Sequence, residues 1–187
     1  GGLMLNPLFA SETHGYDTTD YFRIDPRLGD DASFDRLVAA CHERGLRVML
    51  DGVFNHVGRS HPLFQDALTG RGNEDLFSIT RRPDGSADYA TFEGFRELPA
   101  LNHDSGRVAG LVRGVSAWRL DAAYAVPPAF WACVLPELRN TFPDAWFVGG
   151  GDPRRLRKYR AAVRDGCGDS VRVVEGRLEL AQGWQLL

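Results

Sequence analysis

Leu46-Arg47-Val48-Met49-Leu50-Asp51-Gly52-Val53-Phe54 is a dense apolar and β-branched run, interrupted near its end by a carboxylate. A run of this length and composition reads as a strand buried on both faces, as in a parallel sheet. Before it, Asp31 or Ser33 can cap a helix in which Phe34, Leu37, Val38 and Cys41 recur at helical spacing, and Gly45 ends that helix. Residues 3–9 form a shorter apolar run, followed by a polar loop over 10–31. After it, residues 115–124 read as the next strand. Pro127-Pro128 opens a helix through Phe130, Val134 and Leu138, and residues 145–149 read as a further buried strand. Strand–helix–strand repetition with continuous apolar strands means a parallel sheet, hence the α/β class. The Gly-, Asp- and Arg-rich segment 55–105 is too long for an ordinary connection and is expected to be functional or a small subdomain.

The carboxylates stand where these strands end. Asp51 follows Val48-Met49-Leu50, and Asp121 follows Ala117-Trp118-Arg119-Leu120. Sites in parallel α/β folds form at the C-terminal strand ends, and burying a carboxylate there is costly without a partner. Arg119, two residues before Asp121, points to the same face of its strand. It is therefore expected to favour the ionised Asp121 and lower its pKa, which suits a nucleophile or charge stabiliser.

Composition narrows the function classes. The chain has 187 residues, 22 basic against 25 acidic side chains and a net charge of -3, without the basic footprint of nucleic-acid binding. No apolar run is long enough to span a bilayer, and Gly1-Gly2-Leu3-Met4 does not read as a signal peptide, nor does it supply an initiator Met. Cys41, Cys133 and Cys167 fit neither a zinc spacing nor a disulfide framework. Three free thiols point to a reducing, cytoplasmic location. Of the basic residues 21 are Arg and one is Lys158, a bias that reflects GC-rich coding DNA. Residues 1–149 hold 14 basic and 20 acidic side chains, whereas 150–187 hold 8 and 5, so the character of the chain changes near 149.

Four motifs together resemble the α-amylase family of glycoside hydrolases. Asp51-Gly52-Val53-Phe54-Asn55-His56 resembles its Asp-x-x-x-Asn-His motif, and Trp118-Arg119-Leu120-Asp121-Ala122-Ala123 its nucleophile strand. Gly15-Tyr16-Asp17-Thr18-Thr19-Asp20-Tyr21 resembles the loop after the second barrel strand, and Leu98-Pro99-Ala100-Leu101-Asn102 the motif closing the excursion after the third. The resemblance implies a partial (β/α)8 TIM barrel over residues 1–149. It would cover about strands two to five, with a domain-B-like excursion at 55–105 and an unassigned tail at 150–187. A whole barrel needs ~250 residues. It further implies a retaining enzyme acting on α-glucans or maltooligosaccharides through α-1,4 or α-1,6 bonds. Asp121 would be the nucleophile, Arg119 its ionising partner, Tyr16 the stacking aromatic, and Asp51 and His56 sugar-binding groups. No cofactor is implied as required; Asn55 matches a calcium ligand of some relatives only. No nucleic-acid or membrane partner is expected.

Two departures from the pattern bear on activity. Retaining cleavage needs a second carboxyl about 5–5.5 Å from the nucleophile. The family places it, as Glu, after the fifth strand. Here that strand reads Trp146-Phe147-Val148-Gly149-Gly150, so Gly150 stands at the acid position, and Asp152 is short and out of place. The connection 103–114 leaves room for only ~12 Å of helix, less than a parallel crossover needs. The Arg-rich tail fits an out-of-frame reading of GC-rich DNA. The competing reading is an inactive truncated fragment or a weak carbohydrate-binding remnant. Weaker signals carry ordinary readings: His56 and His61 lack a common helical face for a metal, Gly149-Gly150-Gly151 lacks a phosphate-loop pattern, and Arg154–Arg160 reads as a solvated face.

Overall fold

Four apolar runs lie side by side as one parallel sheet in the computed structural model, which describes residues 1–111, 117–141 and 146–150. In chain order the elements are β1 (Gly2–Leu5), β2 (Phe9–Ser11), β3 (Thr18–Ile24), α1 (Asp31–Glu43) and β4 (Arg47–Gly52). Then come α2 (Pro62–Thr69), β5 (Ile79–Arg81), β6 (Ala87–Tyr89), β7 (Thr91–Phe92) and β8 (Phe95–Pro99). The last are α3 (Gly106–Leu111), β9 (Ala117–Leu120), α4 (Pro128–Thr141) and β10 (Trp146–Gly149). The sheet order is β1-β4-β9-β10, with Leu5 opposite Leu50, Asp51 opposite Arg119 and Leu120 opposite Gly149. Parallel neighbours need crossovers; α1 lies in the first and α4 in the last. The α/β class read from the sequence is therefore observed as a partial α/β fold.

Local chemistry explains the element ends and corrects several expectations. Helix α1 is capped by Asp30, not by Asp31 or Ser33. Asp30 is extended and accepts from Ser33 N at 2.7 Å, while Ser33 Oγ accepts from Asp30 N at 2.8 Å, a reciprocal capping box. The polar stretch 10–31 is not a plain loop. It holds the antiparallel pair β2–β3, because Phe9 and Tyr21 supply apolar residues that pack on each other and on the sheet. Strand β4 is buried only over Leu50, Asp51 and Gly52; Arg47 is exposed and Val48 and Met49 are half-buried. Its partner β1 carries the exposed Leu3 and Met4, so that end of the sheet is open.

The core lies under the C-terminal ends of the strands. Trp118 of β9 meets Phe54 edge-on at 5.2 Å, and Phe64 of α2 meets Phe77 at 5.1 Å. Aromatic pairs of this geometry add to simple area burial. Helix α4 buries Trp131, Val134, Leu135 and Leu138, a helical stripe, against the same cluster. Between β4 and β9 the chain forms α2 and the antiparallel pairs β5–β6 and β7–β8. The expected short crossover contains α3, six residues long; residues 112–116 and the tail beyond Gly150, with Asp152, lie outside the described residues.

Candidate active site

The strand register builds the site. Asp51 and Arg119 are direct partners across β4 and β9, and one residue further the chain stays stitched. Asp121 N donates to Gly52 O at 2.8 Å, Gly150 N to Leu120 O at 2.7 Å, and Ala123 N to Gly150 O at 3.1 Å. These bonds hold positions 51, 119, 121 and 150 together at the C-terminal edge. Immediately after Asp121 the backbone turns through Ala122 at φ 45°, a left-handed conformation uncommon for a residue with a side chain.

Arg119 joins the two carboxylates. Its Nη1 donates to Asp51 Oδ2 at 2.5 Å and to Asp121 Oδ1 at 3.3 Å. Asp51 is 2% exposed, so the closer, stronger pairing goes to the more deeply buried partner. The expected lowering of the Asp121 pKa is not found. Burial raises it first, and the neighbouring Asp51 charge raises it further, outweighing Arg119. One guanidinium shared between two carboxylates, and held nearer the other one, cannot offset both effects.

Tyr16 arrives from the turn between β2 and β3. Asp17 anchors that turn by accepting from Thr13 N at 2.8 Å and Thr13 Oγ1 at 2.6 Å. The turn docks where Gly58 allows close approach, since a Cβ there would fall 2.4 Å from Asp17 O. The Tyr16 hydroxyl then donates to Asp51 Oδ2 at 3.1 Å. Burial and Asp51 both push the phenol pKa up, so it stays a donor.

His56 sits beside this set, without a direct bond to either carboxylate. Asn55 Nδ2 donates to His56 Nδ1 at 3.2 Å, which places the ring proton on Nε2. Burial pushes the His56 pKa down to about 4, partly opposed by the Tyr16 backbone. Among the described residues, neither its Nε2 nor Asp51 Oδ1, both buried, has a hydrogen-bond partner. Unpaired buried donors and acceptors are uncommon and call for a role; one donor and one acceptor in the same site suit the hydroxyls of a polar ligand.

Sequence reasoning missed the β7–β8 hairpin. Phe92 stacks on the His56 ring at 4.5 Å and 17°, and Tyr124 Oη donates to Glu93 Oε1 at 3.0 Å. The available signal was the Glu93-Gly94 pair between Phe92 and Phe95, a tight-turn sequence. His61, weighed as a metal ligand, instead caps α2 by accepting from Leu63 N at 3.2 Å. Among the described residues no group of three or more His, Cys, Asp or Glu is placed to hold a metal ion. Asn55, matched to a calcium ligand of some relatives, donates from its Nδ2 to His56, which leaves its Oδ1 outside that bond.

Residues 1–124 match the family model of the α-amylase catalytic domain. The chain belongs to the α-amylase family. A cyclomaltodextrinase from Bacillus sp. is 39% identical over 161 residues, covering 76% of this chain and 29% of that protein. The intracellular maltogenic amylase of Bacillus subtilis is 35% identical over 162 residues, covering 79% and 28%. Among solved structures, the cyclic α-maltosyl-(1→6)-maltose hydrolase from Arthrobacter globiformis, in complex with maltose, superposes with a TM-score of 0.70 at 32% identity, covering 79% of this chain and 38% of that one. This α-amylase-family chain therefore spans less than a third of the length of these curated relatives. No helix among its described residues is long and apolar enough to cross a membrane.

Proposed function

We propose that residues 1–149 are the strand-two to strand-five part of a retaining (β/α)8 α-glucan hydrolase, with 55–105 as its domain-B-like excursion and 150–187 as a separate tail. The observation that carries this reading is the contact set Tyr16–Asp51–Arg119–Asp121 at adjoining strand ends. Asp121 is the nucleophile. One of its oxygens attacks the anomeric carbon of an α-glucan or maltooligosaccharide unit, the glycosidic C–O bond breaks, and the sugar is left esterified to Asp121. Arg119 shares its positive charge with the attacking carboxylate. Tyr16 offers its ring to the sugar face, and His56 Nε2–H and Asp51 Oδ1 take its hydroxyls. Family membership and the cyclomaltodextrinase and maltogenic-amylase relatives support the substrate class; the intracellular relative supports a cytoplasmic setting.

The leaving oxygen needs a proton, and position 150 offers none, because it is Gly150 beside Asp121's strand. Turnover of ordinary glucans is therefore impaired. The same residue favours a second reading, a carbohydrate-binding remnant without chemistry. An α-glucosyl fluoride separates the two, since fluoride departs without protonation. Mass spectrometry of the labelled chain is expected to show one glucosyl adduct, absent in Asp121→Asn. A folded chain that binds maltooligosaccharide yet never labels supports the remnant. Robust starch hydrolysis abolished by Asp121→Asn would refute the assigned impairment.

A further inference from the structure

The β7–β8 hairpin is fastened at both ends. At its root, His56 and Ala100 form an isolated antiparallel bridge, Val57 N donates to Pro99 O at 3.1 Å, and Leu101 N to Asn55 O at 2.9 Å. At its tip, Glu93 Oε1 accepts from Tyr124 Oη at 3.0 Å. The root is thus tied to the segment that follows Asp51 on β4. The tip reaches the segment that follows Asp121 on β9, the neighbouring strand. Next to the tip, Phe92 lies on the His56 ring.

The tip carries a residue that its turn does not favour. Phe92 pairs with Phe95, so Glu93 and Gly94 alone make the turn, at φ 49° and 88°. Two positive φ values mark the mirror-image hairpin turn, which favours Asn-Gly or Asp-Gly over Glu at its first position. Among the described residues the positive-φ non-glycines are Asn73, of a type that tolerates it, Glu93 and Ala122. Glu93 makes the contact with Tyr124, and Ala122 stands two residues before Tyr124. Local strain maintained by tertiary contacts clusters at functional positions. Asn would suit the turn better, but its side chain is one methylene too short to keep the bond to Tyr124.

We propose that Glu93 and Tyr124 form a latch that holds the β7–β8 hairpin across the ends of β4 and β9, keeping Phe92 on His56 and so fixing one wall of the sugar site. Both are positioning residues, acting through Phe92 and His56, and the proposal rests on the reading of His56 as a sugar-binding group. The bond is exposed, so it favours the latched hairpin by only about twofold to tenfold. The apparent affinity for sugar follows the latched fraction.

Tyr124→Phe removes one hydroxyl, and Glu93→Asn suits the turn while breaking the latch. In both, NMR titration of the His56 ring in the full chain is expected to show a midpoint raised by about half a unit or more, because water reaches the ring when the hairpin lifts. Glu93→Gln keeps an accepting oxygen and is expected to hold the midpoint. The sign separates the latch from plain charge. The charged groups acting on His56 among the described residues are His14 and Asp17, on the turn between β2 and β3. Loss of a nearby carboxylate lowers a histidine pKa, and Tyr124→Phe changes no charge.

Maltotetraose binding, followed by calorimetry, is expected to weaken about twofold to tenfold in Tyr124→Phe and Glu93→Asn, while urea unfolding of Glu93→Asn shows no loss of stability. A contact that served folding alone would lower the stability of Glu93→Asn and leave the His56 midpoint unmoved. An unmoved midpoint in both variants overturns the latch, and so does a raised midpoint with unchanged affinity. If the unaltered chain does not bind maltotetraose, the sugar-site reading fails instead, and the titration alone decides the latch.

Discussion

His61→Asn should remove part of the acid sensitivity of this fold. His61 is 6% exposed and caps α2 through its ring nitrogen, beside the Tyr21 ring at 6.1 Å. Burial pushes its pKa down from 6.5 to about 4, against a weaker opposing pull from Asp20. The unfolded chain therefore binds a proton that the native chain refuses between those two values. A depressed His stabilises the native state fully above pH 6.5, and that contribution fades as pH falls toward 4. At 1.36 kcal/mol per unit, the shift is worth about 3 kcal/mol, with a limiting slope of about 1.4 kcal/mol per pH unit. Asn keeps an oxygen to cap Leu63 N and carries no titrating group, so stability near pH 8 should change by only about 1 kcal/mol. Urea unfolding at half-unit steps from pH 4 to pH 8 measures both quantities. The wild-type slope between pH 4 and 6.5 should fall by about one proton's worth in the variant. Identical slopes would refute the reasoning, because they would mean that His61 is not held neutral by burial.

Two further substitutions probe the site. Phe92→Ala exposes the His56 ring, whose pKa should climb from about 4 back toward 6.5 in an NMR titration; an unmoved value would show that the stack does not exclude water. Asp51→Asn removes the charge that raises the Asp121 pKa and frees Arg119 for Asp121. The labelling midpoint at Asp121 should therefore shift to lower pH, while urea unfolding registers a loss of about 3 kcal/mol from the broken buried pair; a rise in the midpoint would contradict the charge balance described here.

Much of the fold was legible because its causes are local. The 46–54 and 115–124 runs, the Pro128 helix start and the Gly45 stop depend on neighbours in sequence, and each falls near its expected place. The β2–β3 hairpin was not legible. Its stability comes from Phe9 and Tyr21 meeting partners elsewhere, and its polar residues mask that signal. The candidate site divides in the same way. Motif spacing put Tyr16, Asp51, His56, Arg119 and Asp121 forward. Phe92 stayed hidden because its contact with His56 crosses 36 positions of chain that hold α2 and the β5–β6 pair.

The sequence by itself determined the parallel α/β pattern, the family, and the absence of a carboxyl at Gly150, since each is a matter of residue identity and order. Only the tertiary structure decided how the charges balance. Arg119 lies two residues from Asp121 yet binds Asp51, 68 positions away, more closely. Depth of burial ranks the two carboxylates as partners, and depth is a property of the packed chain, so the direction of the Asp121 shift could be read only there.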